Sequence, residues 1–186
     1  MKRTISILAS LAFLIILGSW LSTQASDDST MKNKAQRTAQ QEARQQKRAE
    51  RLAAYEKHID SLVTAHSFRF IPQTMQQLPA GPMRTLQNPY YEVMVGRSDV
   101  DVCIPFLKGY TPPYYPVVFN YVLPTVDDYI AEQTDNGWHI SFRSTLFSAT
   151  DYTFSFEINS HYGGATLIIS TPMYNSVQYN GNIVAI

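Results

Sequence analysis

The chain has 186 residues, with 15 basic and 15 acidic side chains and one cysteine, Cys103. Balanced charge argues against bulk electrostatic binding of nucleic acid, and a single cysteine excludes an internal disulfide. The fold must therefore rest on a hydrophobic core, and the chain is long enough to bury one.

The N-terminus reads as an export leader. Lys2-Arg3 is basic, Ile5 to Gly18 is apolar, and a short polar stretch ends in Thr23-Gln24-Ala25. This three-part layout predicts cleavage after Ala25, with residues 1–25 as the signal peptide. The apolar run of 14 residues spans about 21 Å as a helix, short of the roughly 30 Å hydrocarbon core. An uncleaved inner-membrane anchor, with Trp20 at the interface, is the alternative. A lipoprotein signal is excluded, because Ser19, Trp20 and Leu21 stand where a cysteine would have to be. The expected address is periplasmic or secreted, with membrane contact only through the leader before cleavage.

Residues 26–48 are polar, rich in Gln, Ala, Lys and Arg, and free of Gly and Pro. They favour helix but carry no stripe to bury, which predicts a solvated helical tether. Residues 31–57 hold eight basic and three acidic side chains, whereas 67–186 hold five and nine. The basic arm could touch an anionic membrane or form a coiled coil; a solvated spacer is the preferred reading. Its charge would also oppose an uncleaved leader, since positive segments stay inside. From residue 49 a second region begins, running to 186. Leu52, Tyr55, Ile59, Leu62 and Val63 recur at helical spacing, so this stretch should dock on the body and stop near His66-Ser67.

Beyond Phe68 the apolar period becomes two. Strands are expected at Phe68–Ile71, limited by Pro72, then at Tyr91–Val95, Val100–Ile104 and Val117–Val122. Further strands are expected at 128–132, 138–144, 152–158, 165–170 and around 177–179 and 183–184. Asn136-Gly137 predicts a tight hairpin turn, and Gly96–Asp99, Gly163-Gly164 and Asn180-Gly181 are further turn signals. Trp138, Ile140, Phe142, Tyr152, Phe154, Phe156 and Ile158 should share a dry face, and His139, Ser141, Arg143, Thr153, Ser155 and Glu157 a wet one. This alternation predicts an antiparallel sheet. The fold class is mainly β, a single antiparallel sandwich or open barrel of about eight or nine short strands with one N-terminal helix.

Several short motifs run in order through the body: Phe70-x-Pro72, Gly81-x-x-Arg84-x-Leu86, Tyr91-x-Val93-x-Val95, Asp99-Val100, Ile104-Pro105-Phe106, Gly109-Tyr110, Tyr129, Gly164-Ala165 and Tyr179-Asn180-Gly181-Asn182-Ile183. Over about residues 66–186 they make the chain resemble the DUF4251 family, exported uncharacterised proteins of Bacteroides-type bacteria. The resemblance implies an envelope address and a β-rich body, and it carries no activity, ligand or catalytic residue. Members often look like lipoproteins, and this chain departs from them in lacking the cysteine. It departs again at Phe106-Leu107-Lys108-Gly109-Tyr110, where the family has a longer Tyr-Phe-Gly run.

The most unusual loop is Gly109-Tyr110-Thr111-Pro112-Pro113-Tyr114-Tyr115-Pro116. Prolines stiffen it and tyrosines offer flat faces with polar tips. Tyr110, Tyr114, Tyr115 and Phe106 are therefore the candidate ligand- or partner-binding residues, against the plainer reading of tyrosines packed on a sheet edge. His58, His66, His139 and His161 show no metal spacing, and Asp99, Asp101, Asp127 and Asp128 read as turn charges. Cys103, between apolar neighbours, reads as a small buried side chain. No catalytic residue, metal or cofactor is expected. The leading function is a non-catalytic envelope module that binds an unknown ligand or protein. A hydrolase-type enzyme without a recognisable motif, which would need a pocket near His139 or His161, and a structural envelope spacer are the alternatives. N-terminal sequencing of the protein from its native envelope should begin at Ser26; an intact Met1 would contradict the cleaved leader.

Overall fold

The computed structural model describes residues 2–186 apart from 110, 125 and 146–150, with backbone alone for 2–30, 127 and 145. The expected leader, residues 1–25, thus lies outside the residues whose side chains are described. Two compact units are present, Met1–Arg51 and Leu52–Ile186. Helix α1 (Lys2–Thr64) belongs in part to each. Among the described residues no helix is long and apolar enough to cross a membrane.

The second unit is built on ten strands: β1 (Phe68–Gln77), β2 (Arg84–Thr85), β3 (Glu92–Val95), β4 (Val100–Lys108), β5 (Tyr115–Leu123), β6 (Asp127–Thr134), β7 (Gly137–Thr145), β8 (Asp151–Asn159), β9 (Gly164–Thr171) and β10 (Tyr174–Ala185). They form one antiparallel sheet in the order β5-β4-β3-β1-β10-β9-β8-β7-β6, with β2 on β1, curled into a half-barrel. Of the two expected architectures the open barrel is the one found.

Alternation decides what fills the curl. Ile140, Phe142, Tyr152, Phe154, Phe156 and Ile158 are buried as expected of one dry face, Trp138 is half-buried against them, and Leu167 and Ile169 of β9 join the same core. Phe156 meets Phe68 and Phe70 edge-on at 5.8 and 5.6 Å, and Phe142 stacks on Phe154 at 5.0 Å. Such pairs add to area burial because each ring's positive edge meets another's negative face or an offset one. On β10 the buried Tyr179 donates its hydroxyl to the Pro105 carbonyl of β4 at 2.6 Å. Gln77 of β1 donates to the Gly109 carbonyl at 3.1 Å. Beyond Cys103 the short β3 leaves β4 paired only with β5, and these two side chains tie the other side of β4 to β10 and β1.

The last turns of α1 close the core. Ile59 and Val63 are fully buried, while Leu52 is 51% exposed, so docking begins a turn later than the apolar spacing suggested. Asp60 accepts hydrogen bonds from Trp138 Nε1 at 2.8 Å and Ser160 Oγ at 2.9 Å. Glu56 pairs with His161. The helix stops where expected: His66 N–H donates to the Val63 carbonyl and Ser67 N–H to the Leu62 carbonyl, both at 3.0 Å, with His66 at φ 48°. This is a Schellman end, and the His66 ring lies against Tyr129 at 4.3 Å.

Four local expectations are corrected. Pro72 does not end β1; the strand continues through a register shift between Pro72 and Thr74. Asn180-Gly181 is no turn but the middle of β10, where a Cβ on Gly181 would stand 2.0 Å from the Ile71 carbonyl oxygen. Thr134 pairs directly with Gly137, so the hairpin turns on Asp135-Asn136 and only Gly137 has positive φ, at 152°. Cys103 is half-buried, because alternation gives the core to Val102 and Ile104 and turns the thiol outward. Burial first, then Asp101 and Glu92, pushes its pKa up.

Three outcomes follow from this packing. Phe156→Ala should cost about 3–5 kcal/mol by urea unfolding, as cavity creation at a closed site does. Burial raises the phenol pKa of Tyr152 and Tyr179, and of Tyr129 to about 12. The unfolded chain ionises these groups near their ordinary value of 10. Their stabilising effect is therefore full below that value and is lost as pH rises through the folded values. Tyrosine ionisation at 295 nm should lag behind free tyrosine and then coincide with loss of circular dichroism. The outward thiol of Cys103 should react with iodoacetamide at neutral pH more slowly than free cysteine, since the thiolate is the nucleophile.

Candidate functional site

The face opposite the core carries a transverse polar row. Successive pairings join Glu132 of β6 to His139, His139 to Glu157, Glu157 to Thr166, Thr166 to Asn180, and Asn180 to Thr74 of β1. On β7, β8 and β9 the neighbours of His139, Glu157 and Thr166 along the strand belong to the core face, which places these three outward. Directly opposed residues bring their Cβ atoms within about 4.5–5.5 Å, so six strands present one continuous line of polar groups. Thr166 Oγ1 donates to Asn180 Oδ1 at 3.1 Å, Gln178 Nε2 to the same oxygen at 3.2 Å, and Asn180 Nδ2 to Thr74 Oγ1 at 3.4 Å. These bonds hold Asn180 in one orientation.

From Glu132 to Asn180 the row lines a groove of about 820 Å³, which is also lined by Gln73, Thr134, Asn136, Asn159, Tyr162 and Asn182. That volume lies within the usual range for small-molecule sites. Two backbone irregularities shape it. The bulge in β1 leaves Gln73 unpaired and exposed at the groove, as bulges re-aim a side chain. Opposite the bulge, β10 approaches β1 closely at Gly181, where only a hydrogen fits. At the rim, Tyr162 lies in the β8–β9 turn and is 67% exposed. A Cβ on Gly164 would stand 2.4 Å from Tyr162 Cε2, so the ring rests on bare backbone. The turn is held by Gly163 N–H to the Asn159 carbonyl and His161 N–H to Asn159 Oδ1, both 2.9 Å.

The groove's side chains set its chemistry. Its described lining has two carboxylates, one imidazole, five side-chain amides and three hydroxyls, and no Lys or Arg. It offers paired donors and acceptors with net negative charge and nothing to neutralise an anion.

Phe106 is wholly buried, stacked on Phe119 at 4.7 Å, and so belongs to the core. Tyr114 is half-buried against the core, Tyr115 is 67% exposed, and Tyr110 lies outside the described residues. Of the histidines, His139 lines the groove, His161 pairs with Glu56, His66 packs on Tyr129, and His58 is exposed on α1. Asp128 pairs with Arg143, and Asp99 accepts from Ser98 Oγ at 3.0 Å. Among the described residues no group of three or more His, Cys, Asp or Glu could hold a metal ion. The groove escaped the sequence reading because its row is assembled from strand registers. The alternation of His139 and Glu157 on one wet face was its visible part.

No curated protein matches the chain. The crystal structure of a DUF4251 family protein from Bacteroides eggerthii is similar, with a TM-score of 0.56 and 15% identity over 72% of this chain and 89% of that one. At that identity the likeness is one of fold. The model of a domain of unknown function, DUF4251, matches residues 50–183, which is most of the chain and the whole sheet except the last two residues of β10. The chain belongs to the DUF4251 family.

Proposed function

We propose that this protein is an exported, non-catalytic binding module of the cell envelope, and that its ligand is an uncharged, hydroxyl-rich molecule, a glycan, held along the polar groove. The carrying observation is the groove's lining: amides, hydroxyls and two carboxylates on a rigid sheet, an exposed tyrosine at the rim, and no cation among the described residues. Amide and carboxylate groups bond in pairs to neighbouring sugar hydroxyls. An aromatic face packs on the apolar face of a sugar ring. The absence of Lys and Arg from the described lining disfavours phosphate or sulfate ligands. The leader motif of residues 1–25 supports the envelope address.

A second reading, a glycoside hydrolase, has one observation in its favour: Glu132 and Glu157 flank His139 on adjacent strands. Strands two apart lie about 10 Å from each other, near the carboxyl separation of inverting enzymes. Both glutamates are exposed, and nothing there desolvates a proton donor, which favours binding over hydrolysis.

A glycan array should show a saccharide bound by the protein, with Tyr162→Ala and Asn180→Ala each weakening it by roughly tenfold or more and Tyr115→Ala leaving it unchanged. Loss of binding in Tyr115→Ala alone would move the site to the tyrosine-proline loop. Release of reducing ends that disappears in Glu157→Gln would establish the hydrolase instead.

A further inference from the structure

Helix α1 is exposed along all of residues 31–51, and its charges are sorted by side. At 100° per residue, six of the seven cations of residues 31–51, Lys34, Arg37, Arg44, Lys47, Arg48 and Arg51, fall within one sector of about 140°, and Lys32 falls outside it. Glu42 and Glu50, the only carboxylates between residues 31 and 51, fall outside it, on the other side of the helix. The sector holds only Asn33, Gln40 and Gln41 besides the cations. None of the six cations is ion-paired among the described residues.

A helix kept only as a solvated spacer gains nothing from this arrangement. Arg44 and Arg48, and Lys47 and Arg51, are like charges four residues apart, and Lys34 and Arg37, Arg44 and Lys47, and Arg48 and Arg51 are three apart. Such pairs weaken an isolated helix, whereas Glu–Lys pairs at the same spacing would strengthen it. The stacked charges are instead suited to an external anion. The stripe from Lys34 to Arg51 is about 26 Å long, straight, and without an apolar side chain, so it fits a flat array of phosphates touched from above and not a hydrocarbon layer entered from the side.

We propose that this stripe docks the chain on an anionic lipid surface. Charge complementarity carries the assignment. The stripe's attraction is limited to about a Debye length, roughly 8–10 Å at physiological salt, so the helix has to lie on the surface. The inference is independent of the groove: its residues, its partner and its test are different.

The test measures co-sedimentation of the protein with phosphatidylcholine vesicles and with vesicles of phosphatidylcholine mixed with phosphatidylglycerol. The readout is the ratio of the two partition coefficients, which insertion of an apolar N-terminus does not move. The ratio should be large at low salt and fall towards one at about 1 M salt, where screening reaches about 3 Å. Replacing all six cations by glutamine, a comparable helix former, should lower the ratio on the order of 100-fold or more, since each cation contributes about fivefold. A parent ratio near one, or a six-glutamine variant that keeps the parent's ratio, overturns the proposal. Equal affinity for double-stranded DNA would also overturn it, as a general polyanion preference.

Discussion

Each strand from β7 to β10 has two faces with unrelated duties, and a slip of one residue in any pairing would exchange them. Registers across these strands therefore hold the core and the polar row in place together. Ile140, Phe156 and Leu167 can be dry only while His139, Glu157 and Thr166 are wet. The buried aromatic cluster is the stronger partner in this bargain, because hydrophobic burial is large and the outward polar groups are indifferent to small shifts. The groove is thus positioned by residues that never touch it.

The sheet departs from regular pairing where the groove needs it. An extra residue in β1 and a glycine in β10 sit opposite each other, so that Gln73 turns outward while the backbones close to within a hydrogen's width. The end of α1 contributes from the other side. Asp60 anchors Trp138, the second residue of β7, and Ser160, the first residue of the turn that carries Tyr162. Helix docking and rim geometry are therefore coupled through one carboxylate that accepts two hydrogen bonds.

Much of this was legible in the residues. Strict alternation at 138–158 identified both faces of β7 and β8, and the apolar spacing of Ile59 and Val63 identified the docked end of the helix. The antiparallel class followed from that alternation, and the turn signals gave eight or nine of the ten strands. What stayed hidden depends on partners distant in sequence. Pro72 looked like a terminator because a bulge opposite Gly181 cannot be seen locally. Phe106 looked like part of a binding loop because it borders the Tyr-Pro segment, whereas its parity with Ile104 places it in the core. Tyr162 attracted no notice, since a tyrosine in a polar turn becomes a platform only when Gly164 lets its ring lie on backbone. The polar row needed five registers to assemble.

The central claim is that the outward face of β6 to β10 is the binding surface and the inward face is structural. Amide chemical-shift mapping during titration with a bound saccharide tests this most directly. The account predicts shifts clustered at residues 132–139, 157–166 and 180–182. Shifts clustered at residues 111–116 instead, with the row unchanged, would contradict it.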